Sequence, residues 1–534
     1  MIKKINIQIF FDAVKRNWLL GAILFMAFVL GLYRWKDCPM FVDEFYSITL
    51  AQRSLLQIWL SQADMHNYYL SIMPPLYETI LHFFWNPSGN LFFPRLLSII
   101  FHVTSLYLMF LLIKNLLSRE VALITVFLVS LNNCYNIYAK MIRCYSFWNM
   151  LAMLSFYLFF RMIKLNRISL RYLLGLLLVN AMILYTFYFG AFVIILEIIL
   201  AAIFVERKNL LKIWGWLLSA FLLFIPWVPR FLEHVAAEPI LQTDRNYSIF
   251  EVVWERFSYG LFGNEVPLLL YGGLLLWATV HLFILLKKKG NSRKELLALW
   301  LILVIPALII NAITYKVVDP YRIRYLLPFV FPLFVFAAFI IHRSSKMRGN
   351  FIFGILSLVS LSSLYVYDAP SVDSQNFHDF WQATIARMSK QMAEFPLPKD
   401  DIALIYIEQP DFVPIFVYYF CGPQYFQQVS ENLENLNKLS DSLKDSRYRI
   451  YYGQNLFNHD LLLDDIVESE KIDWIFLFYS DGQFMHKDNV DVEGKKFYKQ
   501  YLKDIGLWDK IDLIQHKNKD MYHFDIYKVR KDRG

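Results

Sequence analysis

The sequence predicts a polytopic α-helical membrane protein with about eleven transmembrane helices, followed by an α/β domain outside the membrane. Three observations carry this. Of 534 residues, 57% are hydrophobic and only 18% are charged, where a soluble domain has roughly a quarter charged. The apolar residues are gathered in blocks of about 17 to 22, the length a helix needs to cross a hydrocarbon core. Short basic clusters separate these blocks, and from about residue 369 the blocks stop and charges become dense.

The spans fall at about 18–35, 94–113, 120–138, 144–160, 172–187, 189–205, 213–231, 266–286, 296–315, 325–341 and 351–367. The turn between the fifth and sixth, around Tyr185-Thr186-Phe187-Tyr188, is very short. Orientation follows from the excess of Lys and Arg on the cytoplasmic side. With the N-terminus in the cytoplasm, every cytoplasmic segment is basic, from Lys15-Arg16 through Arg161, Lys164, Arg167 and Arg171 to Arg343, Lys346 and Arg348. An odd number of spans then puts the C-terminal region in the extracytoplasmic (periplasmic) space, for a multi-pass protein of the inner, or plasma, membrane. The first apolar block lacks a small-residue cleavage site and reads as a retained helix.

Composition also excludes other classes. The net charge of +8 is spent on topology signals between spans, which does not describe a nucleic-acid-binding surface. Four cysteines make no disulfide framework; Cys134 and Cys144 fall near one membrane face, where free thiols or a single bridge both fit. There is no G-x-x-x-x-G-K-[ST] loop, which excludes nucleotide hydrolysis of that type, and no C-x-x-C pair.

Two domains follow, 1–368 in the membrane and 369–534 outside it, with a first extracytoplasmic loop at 36–93 and another at about 232–265. In the first loop, "EFYSITLAQRSLLQIWL" suits one amphipathic helix in the interface. "MPPLYETILHFFW" starts a second at Pro74-Pro75, where proline costs least. In the tail, "DIALIYI", "RYRIYYG", "DWIFLFYS" and "MYHFDIYKV" read as strands, with "PIFVYYF" and "ENLENLNKLSDSL" as helical pieces between them. The tail shows no catalytic constellation; covering the membrane domain or holding an acceptor is its expected work.

Three places attract chemistry. Asp43 and Glu44 stand in "CPMFVDEFYSITLAQ", just after the first span. Most loop acids are solvated and idle. These two have apolar neighbours at membrane-surface depth, where a carboxylate is costly unless paired or used and where desolvation raises its basicity. Lys140 and Arg143, in "YAKMIRCYSFWNML", lie at the outer end of the third and fourth spans, where the positive-inside bias disfavours cations. Snorkelling explains them; so does an anion such as a lipid phosphate, which the guanidinium fork suits. Arg322 and Arg324, in "DPYRIRYLLPF", form a second outer-face basic site. A metal test falls on His66, Glu78 and His82: Glu78 and His82 are four apart on one helix face, and with Asp43 could ligate a divalent ion. Such spacing also arises often by chance. No other cofactor is implied. Arg95 opens the second span from outside, where it also suits a pair with a loop acid.

In that order, the acidic pair, "PPLYETILHFFW", "FPRLLSIIF", "YAKMIRCYSFWNML" and "RYLLPFVFPLF" resemble the GT-C glycosyltransferases. The resemblance is to the bacterial branch of the dolichyl-phosphate-mannose protein mannosyltransferase family, which includes aminoarabinose transferases, and it covers about residues 1–345. It implies a GT-C-like catalytic domain that moves a sugar from a polyprenyl-phosphate carrier to a glycan, lipid or protein acceptor on the outer side of the membrane. Asp43 matches the family's first-loop acid, Arg143 and Tyr145 its R-x-Y, Arg324 and Tyr325 its late RY, and Pro74-Pro75 its helix start. The implied site has Asp43 and Glu44 as catalytic acids. Lys140, Arg143, Tyr145, Arg322, Arg324 and Tyr325 would hold the donor phosphate, and His66, Pro75, Tyr77, His82 and Arg95 would line the substrate pocket. Two departures stand out: Met73 precedes the prolines where relatives often have His or Lys, and Phe187-Tyr188 stands where relatives often have His-Tyr. The alternatives are a flippase or transporter of lipid-linked sugars and a polysaccharide polymerase or ligase. Transporters tend to show repeat symmetry and midplane polar sites, and polymerases a long loop later in the chain; here the acids and arginines gather at one face and the long loop comes first.

Overall fold

The computed structural model describes residues 7–33, 35, 42–60, 73–85, 90–165, 168–237, 253–254, 256–262, 265–287, 293–314, 320–366, 389, 396–398, 401–407, 448–452, 471–480, 503, 511–519 and 522–530. The helices run α1 (Ile7–Leu32), α2 (Val42–Ala51), α3 (Leu55–Leu60), α4 (Leu76–Phe84), α5 (Phe92–Leu116), α6 (Arg119–Ser130), α7 (Asn133–Lys140) and α8 (Tyr145–Lys164). They continue as α9 (Leu170–Leu184), α10 (Ala191–Phe204), α11 (Arg207–Phe224) and α12 (Val228–Ala237). After a π-helical turn (Arg256–Phe262) come α13 (Glu265–Lys287), α14 (Arg293–Thr314), a 3-10 segment (Pro320–Phe329), α15 (Phe331–Arg343) and α16 (Lys346–Val366). Strands β1 (Ala403–Ile407), β2 (Tyr448–Tyr452), β3 (Trp474–Ser480), β4 (Ile511–Lys519) and β5 (Tyr522–Val529) follow.

Contacts divide the chain into two units. The first holds Met1–Trp35, Arg53–Phe84 and Phe92–Ala369; the second holds Lys36–Gln52, Trp85–Leu91 and Pro370–Gly534. The acidic helix α2 thus groups with the C-terminal region.

The first unit is helical throughout its described residues. Among the described residues, four helices are long and apolar enough to cross a membrane, or up to six if two bent pairs each count as one span. Shorter apolar helices, such as Leu170–Leu184 and Tyr188–Phe204, accompany them. Their outward faces are apolar too: Leu211, Leu218 and Leu222 of α11 are all half or more exposed, a stripe at helical spacing that suits lipid and not water. Inside, α5 packs along α8 and α6, and some of the buried polar groups pair across helices. Asn149 Nδ2 donates to Ser105 Oγ (3.0 Å), and the buried Arg256 donates to Asn311 Oδ1 (2.7 Å), tying the π-helical turn to α14. Asn311→Ala removes a charge-assisted hydrogen bond from a buried cation. It is expected to destabilise the purified protein by about 1–3 kcal/mol, read as a lower thermal midpoint in detergent.

Three predicted elements come out broken. The third span is bent by 64° between α6 and α7. Asn132 caps α7, its side chain accepting from Tyr135 N (3.3 Å), while Asn136 Nδ2 donates to the carbonyls of Ser130 and Asn132. These amides compete with the backbone ladder and break it. The span predicted at 325–341 is bent by 48° between its 3-10 part and α15; Pro328 and Pro332 each lack the N–H that a continuous helix needs. The amphipathic helix expected from Glu44 to Leu60 is two helices, α2 and α3. Ser54 and Gln57 form a reciprocal cap (Ser54 N to Gln57 Oε1 3.1 Å, Gln57 N to Ser54 Oγ 3.4 Å) that starts α3 afresh. The short turn between the fifth and sixth spans survives as a 3-10 turn, Tyr188–Gly190.

In the second unit, the described strands form one sheet in the order β2-β1-β3-β5-β4, with β2, β1 and β3 parallel and β5 and β4 antiparallel. All four strands expected from the sequence are present; β4, whose "IDLIQHKNK" is mostly polar, is an addition to them. Asp473 Oδ2 accepts from Ile402 N (2.8 Å) and Asp401 Oδ2 from Trp474 Nε1 (2.8 Å), pinning the starts of β1 and β3 together. The helical pieces expected between strands lie outside the described residues.

Candidate active site

The site in the first unit is built where two broken helices meet. After α7 ends at Lys140, the chain turns through Met141–Cys144 and starts α8 at Tyr145. Ser146 Oγ donates to Tyr138 O (2.9 Å) and closes that turn. Tyr135 OH donates to Leu327 O (2.8 Å), so α7 holds the 3-10 segment that carries Arg324 and Tyr325. The breaks matter here: a straight third span would carry Lys140 and Arg143 on along the helix axis, away from this junction.

Arg143 is buried, and its guanidinium carbon lies 5.9 Å from the centre of the Tyr145 ring. That of Arg324 lies 5.5 Å from the same ring and 5.5 Å from the ring of Tyr325. All are within cation–π reach. Two guanidinium groups from segments far apart in sequence thus share one tyrosine. Aromatic side chains complete the surroundings. Phe187 meets Tyr145 (6.0 Å between ring centres), Trp148 (4.7 Å) and Tyr325 (5.6 Å), and Phe189 stacks on Tyr325 (4.7 Å, 11° between planes). Lys140 is buried at the end of α7. Such walls exclude water, so an anion here meets cations at close to full electrostatic strength.

Phe187 and Phe189 come from the short α9–α10 turn, and Gly190 makes that turn possible. A Cβ at Gly190 would lie 2.2 Å from Ile183 Cγ2 and 3.1 Å from Ile183 O, so α10 can begin this close to the end of α9 only with glycine there. Gly190→Val is expected to push the turn off Tyr325, lowering both thermal midpoint and activity. Fluorescence of Trp148, which packs on Phe187, would report the shift.

Of the residues expected at the site, Arg143, Tyr145, Arg324 and Tyr325 are brought together. Pro75, Tyr77 and Glu78 are buried at the start of α4, with Tyr77 OH 3.5 Å from Ser98 Oγ; His82 is half-buried against Phe83. Arg95 is buried and donates to the carbonyl of Trp35, holding the end of α1 to α5, where a loop acid is the expected partner. Asp43 and Glu44 are the second and third residues of α2, not of a loop, and Glu44 is buried. For Asp43 and Arg322 the description extends to the backbone, and His66 lies outside the described residues. Among the described residues no three His, Cys, Asp or Glu side chains gather as a metal set, and Cys134 and Cys144 are buried free thiols. Sequence reasoning missed Trp148 and Phe189 as site walls; aromatic residues in a chain with 18% aromatic content carry no local signal.

Residues 73–230 match the family model described as dolichyl-phosphate-mannose-protein mannosyltransferase. No curated protein matches the chain in sequence. Among solved structures, ArnT from Cupriavidus metallidurans in the apo state is similar over 96% of this chain and 98% of its own, with a TM-score of 0.51 at 11% identity. ArnT bound to undecaprenyl phosphate covers 95% and 97%, with a TM-score of 0.47 at 11% identity. The Archaeoglobus fulgidus oligosaccharyltransferase tethered with an acceptor peptide covers 94% of this chain and 73% of its own, with a TM-score of 0.49 at 12% identity. Residues 73–230 thus carry the pattern of that family, and the fold along nearly the whole chain is like that of apo ArnT.

Proposed function

We propose that the protein is a membrane glycosyltransferase that moves a sugar from a polyprenyl-phosphate carrier to an acceptor hydroxyl on the extracytoplasmic face, with inversion at the anomeric carbon. The observation that carries the reading is the pair of guanidinium groups, Arg143 and Arg324, over the single ring of Tyr145. Two cations held together in an aromatic, poorly hydrated wall repel one another and attract a dianionic or developing anionic group. A lipid phosphate is such a group, and the matched family's description names a dolichyl-phosphate sugar.

In this reading the acceptor oxygen attacks the anomeric carbon, and its proton passes to the carboxylate of Asp43. The bond from the anomeric carbon to the phosphate oxygen breaks, and its electron pair stays on the lipid phosphate. Arg143 and Arg324, with Lys140 and Arg322, stabilise that charge; Glu44 orients the acceptor. In this reading the protein lies in the inner membrane with eleven spans, a cytoplasmic N-terminus and an extracytoplasmic C-terminal domain, the sidedness expected from the basic segments.

The test is transfer in vitro. The purified full-length protein, given a polyprenyl-phosphate sugar and a panel of glycan, lipid and peptide acceptors, is expected to release free polyprenyl phosphate and a glycosylated product. Movement of intact lipid-linked sugar across proteoliposomes with no product would instead establish a flippase.

A further inference from the structure

One carboxyl group deep in the first unit has no part in that reaction. Glu197 stands alone in the apolar run "AFVIILEIILAAIF" of α10 and is fully buried. It meets side chains from the two preceding helices. Ser155 Oγ of α8 lies 2.7 Å from Glu197 Oε1 and 2.9 Å from Asn180 Oδ1 of α9, and Asn180 Nδ2 donates to Glu197 Oε2 over 2.7 Å. Ser155 and Asn180 are as fully buried as Glu197. Three residues from three successive helices therefore close a triangle of polar contacts.

Its depth follows from helix geometry. Ser155 is ten residues beyond Tyr145 along α8, and Glu197 is the seventh residue of α10, which begins just after the Tyr188–Gly190 turn. At 1.5 Å of rise per residue Ser155 lies about 15 Å along α8 from Tyr145, or about half of a hydrocarbon core roughly 30 Å thick. The triangle sits near the middle of the bilayer, where an ionised carboxylate is most expensive.

Counting protons fixes its state. A serine hydroxyl has one proton to give. Given to Glu197 Oε1, it leaves two bare oxygens facing one another between Ser155 and Asn180. Given to Asn180 Oδ1, it leaves Ser155 Oγ facing a bare carboxylate oxygen. With Glu197 ionised, turning the Asn180 amide over would set its oxygen against a bare Glu197 Oε2. The two arrangements that fill all three contacts both put a proton on Glu197: Glu197 Oε1–H to Ser155 Oγ, Ser155 O–H to Asn180 Oδ1 and Asn180 N–H to Glu197 Oε2, or, with the amide turned, the same ring run in the opposite sense. We infer that Glu197 is held as the neutral carboxylic acid and is a positioning residue, whose ring of three hydrogen bonds clamps α8, α9 and α10 together. The clamp sets the spacing between the start of α8, which carries Tyr145 and Trp148, and the α9–α10 turn, which carries Phe187 and Phe189.

Glutamine tests this directly, because its amide donates where the acid donates and accepts where it accepts. In the purified full-length protein, Glu197→Gln is expected to keep the wild-type thermal midpoint and Trp148 environment, while Glu197→Leu and Ser155→Ala lower the midpoint. The wild-type minus Glu197→Gln infrared difference spectrum at neutral pH should show the carbonyl band of a protonated carboxyl group. A glutamine variant as impaired as the leucine one, or carboxylate bands in place of the acid carbonyl, would overturn the assignment. Neither readout depends on sugar transfer, so failure of the clamp and failure of the proposed reaction are told apart.

Discussion

Replacing Arg143 with alanine is expected to lower sugar transfer by roughly 10²–10³-fold, the usual loss when one preorganised donor to developing charge is removed from a water-poor site. The effect should fall mainly on kcat. The lipid phosphate bears charge before reaction, but the bridging oxygen gains its charge only as the bond to the sugar breaks, and differential stabilisation is what accelerates the step. Arg143→Lys should recover only part of the loss, since an ammonium keeps the charge and loses the bidentate fork. Arg324→Ala should act alike. The double variant should fall short of the product of the single losses, because both cations serve one anion through the shared ring of Tyr145. Tyr145→Phe keeps the ring face that both guanidinium groups use and should cost far less than Tyr145→Leu. Initial rates of polyprenyl-phosphate release at saturating donor would measure all of these. Arg143→Ala with wild-type kcat would remove the arginine pair from the mechanism.

The second large effect is expected at Asp43. Asp43→Asn removes the proposed proton acceptor and preserves shape, so transfer should drop about 10²–10⁴-fold while binding of polyprenyl phosphate is kept. Glu44→Gln should cost less, with the loss in KM for acceptor in place of kcat, since its assigned work is orientation. The two acids are adjacent at the start of α2, about 100° apart around a helix axis. The split between kcat and KM therefore separates their roles. Undiminished transfer by Asp43→Asn would exclude it as the base, and a larger loss in Glu44→Gln than in Asp43→Asn would exchange the assignments.

The arginine pair is legible in the sequence because its placement breaks a rule. In the orientation expected from the basic segments, Arg143 and Arg324 fall at the outer ends of spans, against the positive-inside bias, and stand out on that ground. Their convergence is not legible there. It depends on Asn132, Asn136, Pro328 and Pro332 breaking two spans that hydropathy reads as continuous, because hydropathy sums apolar content over a window and is blind to where a backbone hydrogen bond is lost. The cap at Ser54 and Gln57 is visible in the sequence as S-x-x-Q, but the apolar spacing on both sides of it speaks for one helix. Glu197 offers a different signal, a lone acid in an apolar block; no local pattern names Ser155 and Asn180, its partners on other helices.

What the sequence determined alone was the class of solution: apolar blocks of membrane length and which residue types were out of place in lipid. These depend on transfer free energies summed along the chain, and composition is enough to read them. What only the tertiary structure decided was which out-of-place residues meet. Arg143 with Arg324 across Tyr145, and Glu197 with Ser155 and Asn180, are pairings between helices. They are set by packing of whole elements and by the few polar groups that must find partners in a medium without water.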